Sequence, residues 1–351
     1  MLDVATFKIH FDKELSRFLA LKNAEVRTYT KSKAIRRIIA HSAAIAQVDG
    51  KRVRPYLGYL GYRMAGGVKT KDILRRLVGI ELFHLFALIQ DDIIDNATHR
   101  HGILTVHAFT QERIEKHKHA ARTASSQALL AGDLAFVWSQ EALLADSASD
   151  VYAQVANEFY TMNKGVIIGQ MLDVNISHKD TCTVAQIEEK NLLKTARYTF
   201  VHPLKIGGRL AGTAHTARLD TFFDRIGTLL GTAYQIHDDM LDIIGSPAKI
   251  GKPILGDVAE GQHTYFTHHV FLHGSANDKK KLKNFFGKSL SKKEKEIVQA
   301  IFKSSGAINF GRRIAEKKLV QAQAHIQQAV IDTEHKEALF TLVSLLRFRS
   351  Q

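Results

Sequence analysis

Cysteine is almost missing from this sequence, and proline is scarce. The 351 residues include one cysteine, Cys182, and four prolines. A single cysteine excludes an internal disulfide, which fits a reducing cytosol. No stretch approaches the roughly 18 uncharged apolar residues that a membrane-spanning helix needs. The N-terminus also lacks the basic and then apolar pattern of a signal peptide, so we expect a cytoplasmic protein.

Helical spacing of apolar residues dominates the chain. Each of Pro55, Pro203, Pro247 and Pro253 falls where a helix could begin or end. The segments between them carry apolar residues three and four positions apart, and none shows the alternation of a half-buried strand. The predicted fold class is therefore all-α, with a single domain over residues 1–351.

Five helices of this prediction bear on function. They cover residues 71–96, 148–177, 184–196, 198–213 and 217–245, and residues 247–262 form the longest irregular stretch. Gly165 and Gly169 lower the helix propensity of the second helix, so a ligand or a neighbouring backbone is expected to approach them closely. Helical bundles build ligand sites from side chains on facing helices, which predicts a cavity in the bundle core.

The net charge is strongly positive, at +14. A basic chain can bind nucleic acid, acidic membranes or anionic metabolites. The positive charge is dispersed here, apart from a concentration of lysine in residues 278–294. No zinc-finger spacing, RNA-binding aromatic signature or compact basic arm accompanies it, so nucleic acid is not an expected partner. We interpret the lysine-rich segment as a solvated face.

Two acidic clusters share one spacing and follow similar apolar segments. The clusters are Asp91, Asp92 and Asp95 in FHLFALIQDDIID, and Asp238, Asp239 and Asp242 in YQIHDDMLD. Helix residues four apart share a face, so Asp91 and Asp95 project together and repel each other. A hard divalent cation removes that repulsion, and Mg²⁺ prefers one or two carboxylates together with water and phosphate oxygens.

One such cluster, taken alone, usually marks a solvated helix end. Its repetition at identical spacing favours a functional interpretation. Two helices could face each other across a cavity and hold several Mg²⁺ ions on one diphosphate.

Six short motifs follow one another along the chain. They are GKRVRP (50–55), FHLFALIQDDIID (83–95), GQMLD (169–173), KTARYTF (194–200), YQIHDDMLD (234–242) and GKPILGD (251–257). In order and approximate spacing, the chain resembles the trans-isoprenyl diphosphate synthases over about residues 30–270. The resemblance implies an all-helical bundle around a deep pocket, usually as a homodimer. It also implies a Mg²⁺-dependent prenyltransferase that joins isopentenyl diphosphate to an allylic diphosphate, head to tail.

The resemblance implies separate roles for the acidic residues. The expected direct ligands of typically three Mg²⁺ ions are Asp91, Asp95 and Asp238. The residues expected to bind coordinated water or to orient the ligands are Asp92, Asp239 and Asp242. Released pyrophosphate is the expected base for the final deprotonation, because no histidine or carboxylate of raised pKa is evident near the motifs.

Cations are expected to grip the allylic diphosphate that the metal binds. By resemblance these are Arg100, Lys194 and Lys252, with Thr195 near the reacting centre. The wall near the allylic cation is expected to contain Gln170, Asp173 and Gln235. An exposed helix lysine is the alternative interpretation of Lys194, and a structural hydrogen bond is that of Gln235.

Isopentenyl diphosphate needs its own metal-free site, for which the resemblance implies Lys51, Arg54 and His84. His84 lies seven residues before Asp91, two turns along the same helix face, so it can point into the cavity. A histidine on an apolar face is otherwise usually a core residue. Arg52, between the two cations, is expected to face solvent.

Two positions depart from the family pattern. His101 follows Arg100 where the family has a second arginine, so weaker or pH-dependent binding of isopentenyl diphosphate is expected. Gln262 stands where the family has a lysine, which removes one clamp on the allylic diphosphate. Both departures leave open a weakly active or regulatory subunit of a heteromeric synthase.

Phe86 is the expected determinant of product length. It lies five residues before Asp91, which at about 1.5 Å per residue places it several ångströms below the metals. In the family, one aromatic residue here with a small neighbour such as Ala87 accompanies a twenty-carbon product. We expect geranylgeranyl diphosphate, with farnesyl diphosphate or a longer chain as alternatives. Ordinary core packing of Phe86 fits the same sequence.

The sequence also allows two other protein classes. A class I terpene cyclase would ionise an allylic diphosphate without isopentenyl diphosphate, and GKRVRP speaks against it. A helical nucleic-acid-binding protein is supported by charge alone. The expected partners are therefore the two diphosphates, a second copy of the chain, and a membrane surface for product release only.

Overall fold

The computed structural model describes residues 2–100, 102–116, 118–145, 148–213, 216–245 and 254–347, without the side chains of residues 216 and 217. Two residues with predicted substrate contacts, His101 and Lys252, lie outside the described residues. Within these ranges, no helix combines the length and the apolar character that crossing a membrane requires.

Helices form almost all of the described structure, so the all-α prediction is confirmed. Up to residue 177 the helices are α1 (Val4–Tyr29), α2 (Lys33–Gln47), α3 (Val53–Met64), α4 (Thr70–Ile94), α5 (Val106–Arg113), α6 (Ala120–Leu144) and α7 (Ser149–Ser177). After it they are α8 (Val184–Asn191), a π-helix (Leu192–Val201), α9 (His202–Leu210), α10 (Thr216–Ile244), α11 (Gly256–Ala259), α12 (Tyr265–His273), α13 (Ala276–Phe285), α14 (Lys292–Ser304), α15 (Ala307–Gln328) and α16 (Thr333–Arg347).

Capping residues explain several helix starts. Thr183 and Gln186 form a capping box at the start of α8, and Ser291 and Glu294 form another at α14. Each box satisfies two backbone N–H groups that have no partner inside the helix. The predicted start at residue 184 coincides with the observed one for this reason.

Two local structures differ from the sequence prediction. Strands β1 (His99–Arg100) and β2 (Ile103–Leu104) form an antiparallel hairpin where the sequence predicted no strand. Strands of two residues are too short to show an alternating pattern. The predicted bend near residue 197 is instead the π-helix, which continues directly from α8 and leads directly into α9.

The chain divides into two compact units. Unit 1 comprises Met1–Ala156 and Ile206–Thr213, and unit 2 comprises Asn157–Lys205 and Ala214–Gln351. The first acidic cluster and the GKRVRP motif belong to unit 1, whereas the second cluster and KTARYTF belong to unit 2. The single domain over residues 1–351 stays a prediction.

In unit 1, α4 packs along α6 at very short distance. A Cβ atom at Gly79 of α4 would overlap the carbonyl oxygen of Ser139 and lie 2.6 Å from Leu143 Cβ. Glycine is therefore required there for the backbones to approach. On the other side, α1 contributes Phe7, whose ring centroid lies 5.2 Å from that of Tyr56 in α3. This packing fixes the helix that carries the first acidic cluster.

Candidate active site

The first acidic cluster lies at the C-terminal end of α4. Asp91 and Asp92 lie in the last turn, Asp95 is the C-cap residue, and this turn contains no basic residue. The C-terminus is the negative end of the helix dipole, so carboxylates there are destabilising unless a cation is near. The carboxylates of this cluster are therefore stabilised by positive charge that comes from outside α4.

Arg100 supplies part of that charge. Its Nε donates to Asp92 Oδ1 at 2.7 Å, and its Nη2 lies 3.3 Å from Asp91 Oδ2. Asn96, in the left-handed conformation (φ 51°), turns the chain after α4, and Thr105 Oγ1 holds the hairpin by donating to Ala97 O at 2.7 Å. The residue expected to grip the diphosphate thus contacts the acidic cluster, and its substrate role stays a prediction.

Asp92 is the most buried member of this cluster, with 1% of its surface exposed. Burial raises its pKa to about 6, although the charge of Arg100 acts in the opposite direction. Its Oδ2 is buried and has no hydrogen-bond partner among the described residues. A buried carboxylate oxygen without a donor favours a further cation or coordinated water.

The second acidic cluster lies in the last turns of α10. Asp239 is 5% exposed, and burial raises its pKa to about 7. The charge of Lys190 acts in the opposite direction, and the charges of Asp238 and Asp242 add to the rise. Gln235 Nε2 donates to Asp239 Oδ1 at 2.6 Å, and Thr195 Oγ1 donates to Gln235 Oε1 at 2.5 Å. The expectation that no carboxylate near the motifs has a raised pKa is wrong, because sequence spacing does not report burial.

Asp242 has a structural contact that the sequence did not suggest. Its two carboxylate oxygens accept hydrogen bonds from the backbone N–H groups of Gly256 and Asp257, each at 3.1 Å. These groups begin the short helix α11, so Asp242 caps it. The role of Asp242 toward metal stays a prediction.

The KTARYTF motif lies within the π-helix, where two flanking helices approach its backbone closely. A Cβ atom at Gly169 of α7 would lie 2.6 Å from Lys194 N, and one at Gly231 of α10 would lie 2.5 Å from Ala196 Cα. The predicted close approach of a backbone is confirmed for Gly169. At Gly165 the nearest atom, Leu193 Cδ2, is 4.0 Å away. π-Helical turns are rare and frequently lie at functional sites.

Asp173 is buried between two lysines. Lys194 Nζ lies 2.6 Å from Asp173 Oδ2, and Lys190 Nζ lies 3.0 Å from Oδ1. Burial acts to raise the pKa of Asp173, but Lys194 and Lys190 outweigh it and the pKa is lowered. Gln170, one turn earlier on α7, is half-buried. This side of unit 2 therefore carries more positive charge than the motifs alone indicated.

One prediction for the GKRVRP motif, that Arg52 faces solvent, is wrong. Lys51 is exposed and Arg54 is half-buried, but Arg52 is 6% exposed rather than facing solvent. Arg52 adopts the left-handed conformation (φ 49°), with Nε 2.7 Å from Asp12 Oδ1 and Nη1 2.6 Å from Glu81 Oε1. The reversed backbone at Arg52 directs its side chain inward, which an alternation argument could not anticipate.

Phe86 belongs to an aromatic cluster. Its ring centroid lies 5.5 Å from that of Phe83 in α4 and 5.2 Å from that of Phe136 in α6. Phe83 is fully buried, whereas Phe86 and Phe136 are half-buried. His84, on the same helix, is also half-buried. Whether Phe86 limits the product stays a prediction, and Phe136 is a second candidate that the sequence argument missed.

The acidic residues fit a Mg²⁺ ion that is shared with a phosphorylated ligand. In the part of the chain that the structure describes, no three His, Cys, Asp or Glu side chains are grouped to hold a metal ion. Mg²⁺ requires only one or two carboxylates, with the remaining positions taken by water and phosphate. Added positive charge would stabilise two groups of these clusters. One is Asp92 Oδ2, which has no hydrogen-bond donor among the described residues, and the other is Asp239, whose pKa is raised.

Lys190 is the site residue that sequence reasoning missed most clearly. It lies four positions before Lys194, so the two lysines share one helix face, and this spacing was the available signal. Its burial depends on Asp173, which comes from a different helix. Single-sequence patterns do not report such pairings.

Known proteins resemble this chain in sequence and in fold. The polyprenyl synthetase family model matches residues 35–304. A short chain isoprenyl diphosphate synthase of Methanothermobacter thermautotrophicus is 26% identical over 302 residues, 86% of this chain and 87% of that relative. A geranylgeranyl diphosphate synthase of Cyanophora paradoxa is 31% identical over 219 residues, 62% of this chain and 69% of that relative.

One solved structure extends the likeness to the whole fold. It is geranylgeranyl pyrophosphate synthase from Corynebacterium glutamicum, complexed with isoprenyl diphosphate and magnesium. The match has a TM-score of 0.93 and 26% identity, and it covers 99% of this chain and 100% of that chain.

Proposed function

Because the chain belongs to the polyprenyl synthetase family, it is a prenyltransferase, and we propose that it makes a short all-trans polyprenyl diphosphate, geranylgeranyl diphosphate. The proposed reaction condenses isopentenyl diphosphate with an allylic diphosphate. The observation that carries the proposal is the pair of acidic clusters, each at a helix C-terminus whose last turn has no basic residue. Such clusters suit a metal-bound leaving group of high negative charge.

Ionisation of the allylic diphosphate is the first proposed step. The allylic C–O bond breaks, its electron pair leaves with pyrophosphate, and an allylic cation remains. Bound Mg²⁺, proposed as three ions with Asp91, Asp95 and Asp238 as direct ligands, supplies the positive charge that the leaving group needs. Asp92, Asp239 and Asp242 are proposed to orient those ligands or coordinated water.

The cations of the motifs are proposed to bind the same diphosphate. Lys194 is suited to this because its flexible side chain is 30% exposed and ends in an ammonium. Arg100 and Lys252 are proposed to complete the grip. Thr195 and Gln235, joined by a hydrogen bond, present polar oxygens that can face an allylic cation.

Isopentenyl diphosphate is proposed to bind Lys51, Arg54 and His84. Its double bond attacks the allylic cation and forms the new C–C bond. The released pyrophosphate is proposed to accept the proton that is then lost, which restores a neutral alkene. His101, without the permanent charge of an arginine, is proposed to weaken this second site or to make it pH-dependent.

One incubation tests the proposed activity. The purified protein is mixed with labelled isopentenyl diphosphate, Mg²⁺ and one allylic primer at a time, and the dephosphorylated products are separated by chromatography. A labelled twenty-carbon alcohol is expected, and removal of the metal with a chelator should abolish it. Failure to elongate any primer would contradict the proposal and would favour a regulatory subunit of a heteromeric synthase.

Product length provides a second prediction. Phe86→Ala is expected to shift the main product toward longer chains, because the ring that blocks the growing tail is removed. The control is Phe18→Ala, which removes a half-buried ring from α1 of the same unit. An unchanged product distribution in the Phe86 variant, with Phe136→Ala also unchanged, would contradict the assignment of this aromatic cluster as the floor.

We also propose a homodimer. On α7 of unit 2, four large apolar residues are exposed by 42–67%: Tyr160, Ile167, Ile168 and Met171. They recur with helical spacing on one side of α7, with the exposed Lys164 among them. Exposed apolar surface of this kind is typical of an interaction site. A second copy of the chain is the occupant that matches a family usually found as dimers.

The dimer prediction is tested by light scattering. Ile168→Glu is expected to reduce the molar mass from about twice 39.3 kDa to about 39.3 kDa. Val330→Glu is the control, because Val330 is 99% exposed and lies outside the helices. A monomeric wild-type protein would refute the dimer.

We further propose a cytoplasmic enzyme that delivers its apolar product to a membrane surface.

A further inference from the structure

Lys190 is a buried lysine to which the proposed reaction gives no role. It lies in the last turn of α8, and 7% of its side chain is exposed. Its ammonium lies 3.0 Å from Asp173 Oδ1 and donates a 3.0 Å hydrogen bond to the carbonyl oxygen of His263. Lysine is almost never buried unless it is paired, so these contacts define what Lys190 does.

Asp173 is shared by two lysines that differ in exposure. Lys194 contacts Asp173 Oδ2 at 2.6 Å with 30% of its side chain exposed, whereas the side chain of Asp173 itself is 5% exposed. One carboxylate balances one ammonium, so the group of Asp173, Lys190 and Lys194 carries one excess positive charge. Such a group attracts an anion, and only the more exposed lysine can turn toward it.

We infer that Lys190 is a positioning residue that keeps Asp173 neutralised when Lys194 turns to the substrate diphosphate, an inference that rests on the proposed function. Without Lys190, the same movement would leave Asp173 buried beside no lysine. An uncompensated buried charge is strongly destabilising, so Lys194 would be held back from the ligand.

The contacts of Lys190 explain why it remains beside Asp173 when Lys194 turns away. The carbonyl of His263 accepts its hydrogen bond, and His263 is itself held by a 2.9 Å hydrogen bond between its Nε2 and Lys179 O. Lys190 is thus fixed from two sides. Lys194 lies on the π-helix with a more exposed side chain than Lys190, which suits a movable contact.

Binding of inorganic pyrophosphate in the presence of Mg²⁺, measured by calorimetry, tests the inference. Lys190→Met keeps a long side chain but removes the charge, and it is expected to weaken binding about tenfold or more. Lys190→Arg should recover most of the affinity. The control is Lys205→Met, which removes the lysine of another ion pair of unit 2, 2.7 Å from Asp224, and should leave binding unchanged.

A second variant separates positioning from simple loss of structure. With Asp173→Asn the carboxylate charge is gone, so Lys190 is no longer needed to neutralise it. The double variant Asp173→Asn/Lys190→Met is expected to bind pyrophosphate within about threefold of Asp173→Asn alone. If Lys190 only supports the fold, its replacement should instead cost the same affinity in both backgrounds.

The outcomes distinguish the two proposals. A wild-type protein that neither binds pyrophosphate with Mg²⁺ nor forms a prenyl product overturns the proposed function. A wild-type protein that does both, together with full affinity in Lys190→Met or an equal loss in the Asp173→Asn background, overturns only the role of Lys190.

Discussion

Replacing Asp91 or Asp238 with asparagine is expected to lower kcat by about a thousandfold. Each residue is proposed as a direct metal ligand, and asparagine keeps the shape of the side chain while removing its charge. A metal contributes several kcal/mol to stabilising the charge of a leaving group, and about 4 kcal/mol corresponds to about a thousandfold in rate. The measurement is kcat with saturating isopentenyl diphosphate and allylic primer.

The matched control for this prediction is Asp72→Asn. Asp72 is an exposed acidic residue in the first turn of α4, the helix that also carries Asp91. Its replacement should leave kcat within about twofold, because surface substitutions away from special contacts have small effects. A loss below tenfold in both cluster variants would be incompatible with their role as direct ligands.

Replacing Arg52 with methionine is expected to lower the free energy of unfolding by about 3–5 kcal/mol. The guanidinium joins Asp12 of α1 to Glu81 of α4, and the Glu81 side chain is 9% exposed. Removing one partner leaves the other as an uncompensated buried charge. Denaturant unfolding followed by circular dichroism measures the change.

Two variants check the cause of that destabilisation. Arg347→Met removes an arginine that contacts Glu316 at 2.7 Å, but this pair is exposed, so about 0–1 kcal/mol is expected. Arg52→Met/Glu81→Met removes both buried charges and should recover much of the lost stability. Equal losses for Arg52→Met and Arg347→Met would show that burial of Glu81 does not set the cost.

The sequence predicted those parts of the fold that local rules determine. The caps at Thr183 and Ser291 mark helix starts, and helical spacing of apolar residues is visible along α10. The π-helix was missed because π-helical turns are rare, and the expected spacing of apolar residues was that of an α-helix. The hairpin at His99–Arg100 was missed because two residues cannot show a strand period.

For the candidate site, the sequence predicted which residues belong to it but not their burial or their pairing. The spacing of the aspartates identified both acidic clusters, but it could not show that Asp92 and Asp239 are buried with raised pKa values. The prediction that Arg52 faces solvent is wrong because the residue type gives no sign that its φ is positive. Lys190 was overlooked because its partner, Asp173, is distant in sequence and only the folded chain brings them together.

Both acidic clusters are proposed to serve one metal-bound diphosphate. Calorimetric titration of Mg²⁺-dependent pyrophosphate binding measures whether they do. It is carried out on the wild-type protein and on Asp91→Asn and Asp238→Asn separately. We expect one pyrophosphate per chain, lost in either variant. Two pyrophosphates per chain, with one retained in each variant, would contradict it.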